Sequence, residues 1–171
     1  MKRILTLFLI CCLHANTCFS QQLAEKAYKR RNERKNTLHG ELVGSTFGLG
    51  ISYERKVYDD SSLQLNLRAG VGTIIFLNAV PLVGVNCLLG KKQHLFELGA
   101  NVVRTFAVEL FGNTTVYAFA NPVIGYRFQN RHGLIFRASF TPMIPVYDPD
   151  NWIDNNRLFI PLGGVSLGYS F

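Results

Sequence analysis

Glu54, Arg68, Glu97 and Arg137 draw attention first, because each lies on the polar side of an alternating stretch whose other members are mostly Gly, Ser, Asn and Thr. Two carboxylates and two guanidinium groups of this kind can pair with one another, hold a polar ligand, or line a path for ions. Buried unpaired charges are costly, and opposite signs are available to meet. The expectation is a structural ion-pair and hydrogen-bond network inside a closed fold, with Asn66, Asn86 and Asn101 filling in. A polar permeation path or a ligand site is the alternative.

Nucleophilic catalysis would need a nucleophile, a base and an orienting group brought together. Beyond residue 20 the histidines are His39, His94 and His132, scattered without metal-ligand spacing and without a His-x-Ser pair on a late strand. All three are expected at one end of the fold, His94 and His132 as turn residues. No catalytic residue, metal site or cofactor is expected, and a lipid-modifying enzyme is kept only as an alternative. Gly48 to Gly50 and Gly163-Gly164 lead into no helix, so neither reads as a phosphate loop. Trp152, within Pro145 to Asp154, sits with Asp148, Asp150 and Asp154; an interfacial anchor is the simpler reading, a contact to a partner, glycan or calcium ion the other.

The elements that must carry these residues are strands. In Leu63 to Gly72, Leu63, Leu65, Leu67, Ala69 and Val71 alternate with Gln64, Asn66, Arg68, Gly70 and Gly72. The same period of two runs from Thr37 to the end. Short polar turns at 59–62, 90–93 and 129–133 alternate with longer connections at 73–80, 109–114 and 145–156. Strands are predicted at 38–46, 49–57, 63–73, 80–89, 94–105, 115–128, 133–144 and 158–171. One long strand through 40–57 would replace the first pair, but an odd count would place the two ends on opposite sides.

The kind of residue on each face decides between a soluble and a membrane fold. A soluble sandwich or lipocalin-like carrier turns its apolar face inward and carries many Lys and Glu outside. Here charged residues are 17% of the chain, and the polar face is a poor surface for water but a good filling for a narrow lumen. The predicted fold is an all-β, eight-stranded antiparallel transmembrane β-barrel with its apolar face toward lipid. Tyr126, Tyr169 and Phe171 suit an aromatic girdle.

Met1-Lys2-Arg3 followed by apolar Ile4 to Leu13 reads as a secretory signal over residues 1–20, the apolar run being about half of what a spanning helix needs. Residues 21–36 form a basic arm, and 37–171 the barrel. Only Cys87 remains beyond the signal, so no intrachain disulfide is expected. The net charge of +7 comes largely from the first 36 residues; residues 37–171 hold 10 basic and 9 acidic side chains, which gives no basic face for nucleic acid.

The run Pro81 to His94 with Glu97-Leu98-Gly99-Ala100, then Gly125 to Gln129, then Phe136 to Pro142, resembles a family of small outer-membrane β-barrel proteins of Bacteroidetes-type bacteria. The ending Gly163 to Phe171 is similar to that family and to the general terminal signature of outer-membrane barrels, in which Tyr169 and Phe171 would be read by the barrel-assembly machinery. The resemblance implies residence in the outer membrane of a Gram-negative cell, with membrane lipid and that machinery as partners and a further envelope partner left open. It implies no activity. The functional expectation is a non-enzymatic structural or interaction component of the envelope, with a narrow pore as an alternative.

Overall fold

A computed structural model describes residues 34–60, 62–74, 78–90, 93–108, 114–147 and 159–171. The expected signal segment 1–20, residues 21–33 of the arm, and Trp152 with its three aspartates lie outside the described residues. Nine strands follow one another: β1 (Asn36–Val43), β2 (Leu49–Asp59), β3 (Leu63–Ile74), β4 (Asn78–Leu89), β5 (His94–Val108), β6 (Thr114–Gln129), β7 (Leu134–Phe140), β8 (Ile144–Tyr147) and β9 (Gly163–Ser170).

From β1 to β7 each strand pairs antiparallel with the next along the chain, and β9 pairs with both β7 and β1, closing the sheet on itself. Strand β8 continues the stave begun by β7, still against β6, so the closed barrel has eight staves. Closure leaves no full-length sheet edge unpaired. At the seam Asn36 N–H donates to Phe171 O at 3.0 Å and Phe171 N–H returns to Asn36 O at 2.8 Å. Both described termini therefore meet at one end.

Three predicted strand boundaries are corrected. The first strand ends at Val43, and Gly44–Thr46 forms a 3-10 turn, so 40–57 is two strands and not one. The seventh stave breaks at Thr141-Pro142, because proline has no N–H to give the ladder. Asn121 Nδ2 donates to Thr141 O at 2.9 Å and to Pro142 O at 3.2 Å, satisfying carbonyls that the break frees. Regular pairing of the last strand begins at Gly163, preceded by a single bridge between Met143 and Ile160.

The turn at 44–46 folds into the barrel. Ser45 and Thr46 are fully buried, and Asn101 Nδ2 donates to Ser45 Oγ at 3.3 Å across the lumen. Its entry and exit require backbone that non-glycine residues rarely adopt: Val43 and Phe47 both have φ of 61°. Gly72 makes room for it, since a Cβ there would fall 2.3 Å from Thr46 Cβ. Above the turn the interior is apolar: Val80, Leu82, Val103, Phe119 and Met143 are buried together with Phe47 packed against them. The expectation of a polar packed interior is corrected at this end, where inward positions carry aliphatic and aromatic side chains, and again near the termini, where Leu88, Leu95 and Ile135 are buried.

Outward positions are apolar through the middle of the staves. Leu67 is 51% exposed, Ile51 61% and Leu167 64%, while their chain neighbours Arg68, Ser52 and Ser166 are buried. Polarity is thus reversed relative to a protein folded in water.

Candidate functional site

Glu54 on β2, Arg68 on β3, Glu97 on β5 and Arg137 on β7 all point into the lumen and are at most 2% exposed. They do not pair only among themselves. Two residues missed by the sequence reading, Glu41 on β1 and Arg127 on β6, complete the set, giving three carboxylates and three guanidinium groups.

Arg127 holds Glu54 with two hydrogen bonds, Nη1 to Oε2 at 2.7 Å and Nη2 to Oε1 at 3.0 Å, the two-pronged geometry that makes such pairs strong. Its Nε donates to Glu97 Oε2 at 3.1 Å, and Arg137 Nε lies at the same distance from that oxygen. Arg137 Nη1 is 3.7 Å from Glu41 Oε1, and Arg68 Nη2 donates to Glu41 Oε2 at 2.9 Å and to Ser52 Oγ at 3.1 Å. Asn86 Nδ2 donates to Glu54 Oε1 at 2.9 Å. One unbroken chain of charge pairs and hydrogen bonds thus links β1 through β7.

His39, three residues along β1 from the seam at Asn36, points inward with Nε2 3.1 Å from Glu54 Oε1. His94 Nδ1 is hydrogen-bonded to the Tyr126 hydroxyl on the outer wall, and His132 sits in the turn held by Asn130 Oδ1. Glu41 was legible in principle, because it shares its face with Thr37 and His39. Arg127 was too, because it follows outward Tyr126 and keeps step with Gly125 and Gln129.

Small inward residues give this network its space. Gly84 stands opposite Asn101 and Gly99 opposite Asn86 across the β4–β5 ladder. A Cβ at either glycine would fall within 2.1 or 2.3 Å of the facing amide oxygen, so these positions must lack a side chain. Asn66, the third expected filler, accepts from Gln64 Nε2 at 2.8 Å. Chemically the arrangement pairs charge with charge inside a narrow wall, which holds staves together from within. Arg68 Nε and Nη1 and Arg137 Nη2 make no hydrogen bond among the described residues, so donor capacity exceeds what the network itself uses.

Tyr169 and Phe171 are 53% and 55% exposed on the outer wall at the seam. Among the described residues there is no cluster of His, Cys, Asp and Glu that would hold a metal ion.

No protein-family model matches the chain, and no curated protein matches it. Among solved structures, the N-terminal β-barrel domain of Pseudomonas aeruginosa OprF aligns with a TM-score of 0.54 at 10% identity, covering 80% of this chain and 96% of that domain. The fold is that of an outer-membrane β-barrel. The attachment invasion locus protein Ail of Yersinia pestis, solved with the heparin analogue sucrose octasulfate, aligns with a TM-score of 0.41 at 12% identity over 81% of this chain and 99% of that one.

Proposed function

We propose that this protein is an integral barrel of the outer membrane of a Gram-negative cell, serving as a non-enzymatic structural or interaction component of the envelope. The observation that carries the reading is the reversed polarity: an apolar outer wall around a lumen with three carboxyl and three guanidinium side chains at most 3% exposed. Water would not tolerate that wall, whereas hydrocarbon requires it. A lumen filled by paired charges in its middle and by apolar side chains toward both ends supports a closed stave assembly in preference to a channel.

On this reading the end that holds the termini faces the periplasm, the outer wall meets membrane lipid, and Tyr169 and Phe171 present the signal that the assembly machinery reads. The test is to refold the chain from residue 21 in detergent and compare unheated and boiled samples on one gel, then float it with liposomes. A heat-modifiable band that floats supports the proposal. A chain that stays soluble without detergent and runs unshifted sinks it in favour of a secreted carrier.

A further inference from the structure

The wall formed by β9, β1 and β2 carries two features stacked one above the other. Near the seam, Arg34 places its guanidinium carbon 5.9 Å from the centre of the Tyr169 ring, and exposed Arg55 stands on the other side of β1, opposite Asn36. Tyr53, one row farther in, donates its hydroxyl proton to Asn36 Oδ1 at 2.6 Å. Asp59 is taken up by Lys56 at 2.8 Å, and Arg34 and Arg55 have no carboxylate partner among the described residues.

Four residues along β1 from Asn36, about 13 Å at the strand rise, the outward position is Gly40. It lies opposite Ile51 on β2 and Leu167 on β9. A Cβ at Gly40 would meet only Gly50 O at 3.9 Å, so the wall is notched there. The notch belongs to an open trough of about 880 Å³, walled by Leu42, Ile51, Val165, Leu167 and Phe136.

We propose that this face is a binding site for one anionic glycerophospholipid. Its phosphate sits between Arg34 and Arg55 over the Asn36 row, with Tyr53 and Tyr169 at the level of the glycerol, and one acyl chain lies in the trough over Gly40. Charge complementarity selects the headgroup, because basic side chains at a membrane surface favour acidic lipid. The aromatic pair marks the interface between the two zones. The apolar trough takes the chain because it lies farther along the same wall, centred on β9, β1 and β2 and flanked by Phe136 of β7 and Val71 of β3. This site rests on the membrane placement proposed above and adds the class of lipid to it.

The test uses the refolded chain from residue 21 in vesicles containing spin-labelled phosphatidylglycerol or spin-labelled phosphatidylcholine, reading the motionally restricted fraction. The expected result is a preference of about fivefold or more for phosphatidylglycerol, from roughly tenfold per 1.4 kcal/mol and about 1 kcal/mol per basic side chain. The double variant Arg34→Gln/Arg55→Gln should bring that ratio close to one. Gly40→Leu should lower the restricted fraction of both lipids, and Arg104→Gln, exposed at the opposite end of the wall, should change neither. Heat-modifiability checks that each variant has folded. A ratio near one in the parent barrel, or a preference that survives the double substitution, overturns the lipid site while leaving the barrel intact. A parent chain that neither floats nor shifts on the gel overturns the membrane reading and this proposal with it.

Discussion

Glu54 and Arg127 meet through two hydrogen bonds across the full width of the lumen, from β2 and β6, which stand four staves apart in a barrel of eight. No ladder hydrogen bond connects those strands. The pair acts as a strut, and Glu97 on β5 and Asn86 on β4 brace it from two of the three staves between.

Removing both halves of the strut should cost less than the two single removals added together. Glu54→Leu leaves Arg127 buried with one carboxylate partner fewer, and the expected loss is about 3–5 kcal/mol. Glu54→Leu/Arg127→Leu should lose less than the sum of the two single changes. Urea unfolding of the refolded barrel in detergent, followed by tryptophan emission or the heat-modifiable band, reads all three, and strict additivity would show that the pair is not coupled.

The outer wall can be tested at a single site. Leu67, outward near the middle of β3, should cost about 2–4 kcal/mol when changed to Arg in a bilayer, because a guanidinium there loses its water. If Leu67→Arg unfolds at the same denaturant concentration as the parent in liposomes, this face does not meet hydrocarbon.

Gly72 is the seat of the inward turn. A side chain there would occupy the place of Thr46, so Gly72→Val should push residues 44–46 out of the lumen. The expected signature is new protease cleavage between Val43 and Leu49 in folded, liposome-embedded protein, with the rest of the strands still protected. Unchanged cleavage would mean that the wall bends to keep the turn inside.

Conductance separates a strutted barrel from a pore. The parent should show no stable channel in planar bilayers, and Glu54→Ala/Arg127→Ala should stay closed as well. The reason is the second seal: Val80, Leu82, Val103, Phe119 and Met143 close the other half, with Phe47 edge-on to Phe119 at 5.5 Å between ring centres. Steady single-channel steps from the parent protein would contradict both seals.

Much of this molecule is written locally. A period of two is visible without any partner strand, so Leu63, Leu65, Leu67 and their polar neighbours announce a strand and its two faces. Face chemistry then separates lipid from water, because bulky aliphatic residues opposite Gly, Ser and Asn suit a narrow polar interior. The charges at Glu54, Arg68, Glu97 and Arg137 were assigned to the lumen side by parity alone.

What parity cannot specify is which charges meet. Glu54 finds Arg127 73 residues later, and Arg68 finds Glu41 27 residues earlier, because stagger and curvature bring particular rows to one height. The inward turn at 44–46 was hidden for a related reason: alternation continues through it, and only closure of the sheet creates the space that Gly72 opens for Thr46. The apolar seal was missed because an inward Val103 or Phe119 looks, in one dimension, like any outward neighbour. Faces and strands are properties of adjacent residues, whereas partners across a lumen exist only once the eight staves have closed.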